Sequence, residues 1–238
     1  MSSEAELLEK INSVIARIDG KTTELQESLT GKLHWLPGGL RDKVVDGWNA
    51  FCGYLKRVWD NLGEVIANLG SPSALQAAAN AWSDLVGRPV SGQVQSADAG
   101  LLSVDTTWDG TAAEAYRQAL PLQKAALDKV KSTMTDGIAS ALTAVASSIV
   151  LFWGLLVTAL GALIIGIVGA VSSVATIAGL PAAPFIAAAA ALAASASLIT
   201  GSEVLKASCA SANTGLRLKL DDDTAFPGGH WPPAAATG

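Results

Sequence analysis

The 238-residue chain is poor in the side chains that usually carry chemistry. It has two His (His34, His230) and two Cys (Cys52, Cys209), and aromatics make up only 5%. Neither pair has metal-ligand spacing, so no metal site is expected. A disulfide between Cys52 and Cys209 is compatible with the count, but one pair says little about compartment. GxGxxG, GxxxxGKS/T, HExxH and GxSxG are all absent. No nucleophile, base or ligand cluster can be nominated, so the reading is of a non-enzyme without a cofactor.

Charge is scarce as well, and it is unevenly spread. Only 16% of residues are charged, and from Gly137 to Ser202 there is none, a run of 66 residues. Residues 1–136 hold 13 of the 16 Lys/Arg and 17 of the 21 Asp/Glu. Soluble domains rarely conceal so long an uncharged run, which disfavours a simple cytosolic globule. A net charge of −5 argues against a nucleic-acid partner bound through its phosphates. The N-terminal stretch MSSEAELLEK lacks the basic-then-apolar order of a cleavable signal, so export is expected only by a route that needs none.

What is present is helical periodicity. Ser3 with Glu6 reads as a capping box, and Leu7, Ile11, Val14 and Ile18 follow as an apolar stripe that thins through Leu25, Leu29 and Leu33. Gly20 is a weak point or a kink in that helix. His34-Trp35-Leu36-Pro37-Gly38-Gly39 predicts a stop. Beyond it Val44, Trp48, Phe51, Leu55, Val58, Leu62, Val65 and Leu69 are spaced 4, 3, 4, 3, 4, 3, 4, with Val45, Cys52, Trp59 and Ile66 every seventh residue beside them. This is a heptad helix with a wide apolar face, suited to a bundle core or to docking a partner helix or membrane.

Gly70-Ser71-Pro72-Ser73 breaks and restarts the chain, with Pro72 at the first helical position. Leu75, Ala78, Ala79, Trp82, Leu85 and Val86 form the next face. Gly87-Arg88-Pro89 predicts a kink, and Val94, Ala97, Leu101 and Leu102 resume the pattern. Thr106-Thr107-Trp108-Asp109-Gly110 then precedes another helix, with a bend expected at Pro121. Gly110 supplies backbone angles the turn requires, and Trp108 is placed to plug the end of the helix pair.

Trp108-Asp109-Gly110 followed by Thr-Ala-Ala-Glu-Ala-Tyr resembles the Trp-x-Gly helical hairpins secreted by type VII (ESX) systems of actinobacteria and related bacteria. Residues 70–82 are similar to the start of the first helix in the longer, toxin-associated members. The resemblance covers about residues 70–145 and implies paired hairpins forming four-helix bundles, with a WXG-type partner or a second copy as the mate. The family's export signal, Tyr-x-x-x-Asp/Glu, is missing: four positions after Tyr54 and Tyr116 stand Val58 and Leu120. Secretion by this route would then depend on a partner carrying the signal.

Ile149 to Val171 is uncharged and long enough to cross a hydrocarbon core of roughly 30 Å, with Trp153 placed as an interfacial aromatic. Ala162, Gly166 and Ala170 are four apart, and Gly169 with Ser173 repeats that spacing, which suits close helix packing in lipid. A buried central helix of a soluble bundle would use the same residues. After a turn at Gly179–Pro184, Phe185 to Gly201 is mostly alanine and would insert only marginally alone. A strong span followed by a weak one resembles the hydrophobic hairpins of colicin-type pore formers. Leu216–Leu220 alternates like a short strand, the Asp221–Asp223 run reads as solvated charge, and Trp231 between prolines as a docking peptide.

The expected fold is all-α: hairpins over residues 1–70 and 71–146 forming one four-helix bundle, an uncharged membrane-inserting hairpin over 147–202, and an extended or disordered tail over 203–238. Trp108 and Gly110 are its structural turn, and Ala162, Gly166, Gly169 and Ala170 its membrane-helix packing positions. The expected function is a type VII-associated, membrane-inserting protein that oligomerises and forms a pore. Its rivals are a non-pore adaptor of a secreted toxin and a structural membrane protein that recruits a partner.

Overall fold

A computed structural model describes residues 4–68, 70–98, 107–176 and 178–234. The fold is all-α; among the described residues every regular element is helical. The helices are α1 (Glu4–Lys32), α2 (Gly38–Asn68), α3 (Pro72–Trp82), α4 (Arg88–Ser96), α5 (Thr111–Lys129), α6 (Asp136–Ser173) and α7 (Ala183–Leu220). The Ser3 cap, Leu69, Leu101, Leu102 and Thr106 lie outside the described residues.

The breaks fall where the chain's stereochemistry puts them. α1 runs through Gly20 without interruption and ends in a 3-10 turn, Leu33–Trp35. Leu36 is extended (φ −90, ψ 143), as the residue before a proline must tend to be. The Pro37 carbonyl then accepts hydrogen bonds from the Leu40 and Arg41 amides, opening α2. α3 starts on Pro72, whose missing N–H costs nothing in a first turn. The kink expected at Gly87–Pro89 is a wide π turn, Ser83–Gly87, closed by the Arg88 amide on the Ser83 carbonyl. A second π turn, Val130–Thr135, joins α5 to α6, and α5 continues through Pro121.

The chain forms two compact units, residues 1–71 with 148–206, and residues 72–147 with 207–238. This grouping differs from the expected one. The N-terminal hairpin groups with the uncharged hairpin rather than with residues 71–146, because its apolar stripes need a cover and the uncharged helices offer the larger apolar surface.

In the first unit the sequence stripes are the core. Ile11, Ile18, Leu25 and Leu29 of α1, and Val44, Phe51, Leu55, Val58 and Leu62 of α2, are buried together with Phe152, Leu156, Leu160, Leu163 and Ile167 of α6. Each such side chain contributes about 1.5–3 kcal/mol on full burial. α7 contributes Ala187, Ala191, Ala194 and Leu198, and its small residues allow close approach. Gly47 of α2 packs on Pro184 and Phe185, and Gly201 on the Phe152 ring.

In the second unit the two π turns meet. Gly87 packs against the Thr135 methyl so closely that a Cβ on the glycine would stand 2.8 Å from it. Thr135 is buried and its hydroxyl has no hydrogen-bond partner. The expected extended tail is helical as far as Leu220. Period-two alternation there is overridden: Leu216 faces the Gly137 backbone, whereas Leu218 and Leu220 are left exposed. Beyond Leu220 the chain is irregular, with a 3-10 turn at Pro227–Gly229.

Candidate membrane-facing surface

α6 and α7 are each 38 residues, about 57 Å at 1.5 Å per residue, and both are long and apolar enough to cross a membrane. Within the first unit, each shows two unlike faces. On α6 the outward residues Leu151, Gly154, Thr158, Ala162, Ile165, Gly169 and Ser172 recur at three and four, and Ile165 is 74% exposed. On α7 Phe185, Ala189, Leu192, Ala196 and Ile199 do the same. Water-facing positions of a soluble helix normally carry charge. Here none does: both faces are uncharged, and large exposed apolar residues, Leu151, Ile165, Phe185, Leu192 and Ile199, recur along them.

The four small residues singled out for helix packing divide into two pairs. Gly166 and Ala170 belong to the interior: Ala170 is fully buried, and a Cβ on Gly166 would lie 2.2 Å from the Ala190 methyl. Gly166 is therefore a position where α6 and α7 approach closely. Ala162 and Gly169 point outward, and nothing lies within 4 Å of a Cβ on Gly169. Trp153, expected at an interface, is instead 5% exposed in the core, and its indole Nε1 is buried with no acceptor. An aromatic near the end of an apolar run reads the same from sequence whether it faces headgroups or helices. Here α6 turns it inward beside Phe152, on the face that packs.

At the far end of the hairpin, the Lys32 Nζ donates to the Val174 carbonyl at 2.9 Å. A cation at the C-terminal carbonyls of α6 is favourable against the helix dipole. The bond links α1 to the turn of the uncharged hairpin.

In the second unit the Trp-x-Gly turn is built from backbone and ring contacts. Gly110 has φ 102 and ψ 178, a region open in practice only to glycine, and stands immediately before α5. The Arg117 guanidinium donates to the Trp108 carbonyl at 3.0 Å, and the Trp108 ring lies 5.7 Å from that of Tyr116. Trp108 is half exposed; it rests along α5 rather than being sealed inside a helix pair. An apolar cleft of about 230 Å³, lined by Leu75, Ile138, Leu142, Cys209 and Leu216 among others, lies between α3, α6 and α7 in this unit.

Among the described residues no group of three or more His, Cys, Asp or Glu is placed to hold a metal ion. Cys52 and Cys209 are both free thiols, and partial burial pushes Cys52 above the ordinary thiol range. The acidic run is not wholly solvated, because Asp222 pairs with Lys129 and accepts from Thr224. The Lys129 ammonium, then the two Thr224 donors, hold its carboxyl down at about 2.

No protein-family model, curated protein or solved structure matches this chain.

Sequence reasoning missed Gly47 and Gly201 as close-approach positions, because a glycine in an amphipathic pattern does not announce its neighbour. It also missed Gln123, which the structure joins to the C-terminal segment. Trp231 between prolines was the available signal, but only the fold supplies the other side of that contact.

Proposed function

We propose that this chain is a type VII secretion-associated, membrane-inserting protein that self-associates in lipid and forms a pore. The observation that carries the reading is the pair of uncharged outward faces, Leu151 to Ser172 on α6 and Phe185 to Ile199 on α7. The α1–α2 hairpin supports a sheathed resting form. It covers one side of the apolar pair with Ile11, Ile18, Phe51 and Val58, and its own outer faces carry charges such as Lys56 and Asp60, unsuited to lipid.

Insertion then exchanges one apolar cover for another. Hydrocarbon replaces the α1–α2 side chains against α6 and α7, and the Lys32–Val174 bond opens. The outward small residues Ala162 and Gly169 let a second copy approach closely once in the bilayer. The type VII association rests on the resemblance of Trp108-Asp109-Gly110 and its flanking helices.

Dye release from liposomes by the detergent-free full chain, at neutral and mildly acidic pH, tests this. Release is expected from the natural sequence and not from Ile165→Lys, whose charge adds about 2.5–3.5 kcal/mol to insertion at a helix centre. Equal release by both, or none from either, overturns insertion through this face.

One observation favours the alternative of a non-pore adaptor. Val45, Cys52 and Ile66 remain exposed, with Trp59 half-buried, as an apolar row on α2. A WXG-type partner helix would fit such a row, and the adaptor reading leads if liposomes stay intact.

A further inference from the structure

The C-terminal segment is held on α5 by one side chain that directs three hydrogen bonds to it. The Gln123 amide nitrogen donates to the carbonyls of Pro232 and Pro233, the latter at 2.9 Å, and its oxygen accepts from the Trp231 indole Nε1. A carboxamide has two donor hydrogens and an oxygen with two lone pairs; the amide nitrogen makes two bonds and the oxygen one. The ligand is matched to this reader. Consecutive prolines have no amide N–H to satisfy and hold a preformed extended backbone whose carbonyls face outward. They therefore lose little entropy on docking. Pro232 is buried against the unit while Trp231 stays half exposed, its ring 5.9 Å from that of Phe226.

Upstream, the segment is tethered rather than packed. Asp222 pairs with Lys129, also on α5. Between that pair and Trp231 lies a turn containing Gly228 and Gly229, both at positive φ (65 and 75). No helix or sheet ladder includes residues 230–234. Such a segment detaches at low free-energy cost relative to a helix, and the nine residues from Asp222 to His230 can span about 30 Å when extended.

We infer that the α5 surface around Gln123 is a docking site for a Trp-Pro-Pro segment, filled here in cis by residues 231–233, and that it accepts the same segment from a second copy of this chain. Exchange of an identical element between copies needs no new interface, only release of the cis ligand. The cis segment competes at an effective concentration of order millimolar, so trans occupancy appears where the cis ligand is disabled or copies are crowded.

Two full-length variants isolate the exchange. Trp231→Ala keeps the site and weakens the tail; Gln123→Glu keeps the tail but replaces the amide donors that read the two proline carbonyls. Tagged Trp231→Ala should capture untagged Gln123→Glu well above the level at which either captures itself. Equal capture in all pairings would mean association through another face and overturn the exchange. A labelled peptide of residues 221–234 provides the second arm. It should bind Trp231→Ala at least tenfold tighter than the natural sequence, and this gain should vanish in the Gln123→Glu, Trp231→Ala double variant. Binding indifferent to Gln123 would remove the site itself. Neither arm depends on membrane insertion.

Discussion

The Ala190 methyl of α7 occupies the space that a side chain on Gly166 of α6 would need, the separation to an ideal Cβ being only 2.2 Å. Gly166→Ala must therefore push the two helices apart. Overpacking of this kind costs about 1–3 kcal/mol, against a helix-propensity gain of about 1 kcal/mol. Gly169→Ala is the internal control, because nothing lies within 4 Å there. Urea denaturation of the two variants should move in opposite directions, Gly166→Ala down and Gly169→Ala level or up. A parallel response would mean that Gly166 does not set the α6–α7 distance.

Gly110 makes a similar demand through its backbone. At φ 102 and ψ 178 an L side chain is strained, and such strain costs on the order of 1–3 kcal/mol. Gly110→Ala should destabilise the chain by that amount. Trp108→Ala, removing a half-exposed ring that touches Tyr116, should lose about 1 kcal/mol. Thermal denaturation of both orders them, and a larger loss at Trp108 than at Gly110 would contradict this account of the turn.

The buried Trp153 indole has a donor with no acceptor. An unsatisfied buried donor costs about 1–3 kcal/mol, comparable with the apolar area lost in replacing Trp by Phe. Trp153→Phe should thus be near neutral or stabilising, while Trp153→Ala should lose about 3–5 kcal/mol by opening a cavity. Chemical denaturation checks the pair; a large loss in the Phe variant would reveal a partner for the N–H.

Asp222 gives the tail a defined response to acid. Its carboxyl titrates near 2 rather than at 3.8, because Lys129 and Thr224 favour the charged form. A depressed carboxylate stabilises the folded state at pH above its unfolded value and loses that contribution as pH falls through the folded one. The Asp222–Lys129 link should hold in mild acid and be lost only near pH 2. The Thr224 amide, which donates to Asp222, should show an NMR titration with that low midpoint. A midpoint near 3.8 would mean that the ion pair does not form in solution. Any mild-acid trigger of membrane activity should consequently be insensitive to Asp222→Asn.

The amino-acid sequence by itself determined most of the helices and their breaks, though not the continuation of α7 to Leu220 or the π turn Val130–Thr135. Pro37, Pro72 and Gly110 act through stereochemistry local to a few residues, and the buried row Val44, Phe51, Leu55, Val58 and Leu62 follows from a period that any helix must obey. It also determined that α6 and α7 would have no charged face between Gly137 and Ser202, since composition alone decides that. Periodicity states that a face is covered but not by what, so the grouping of residues 1–71 with 148–206 belongs to the tertiary structure. The same holds for Ala162 and Gly169 outward against Gly166 and Ala170 inward, for Trp153 in the core, and for Gln123 on the Trp-Pro-Pro segment. Each depends on atoms far away along the chain, and only closure of the fold brings them within range.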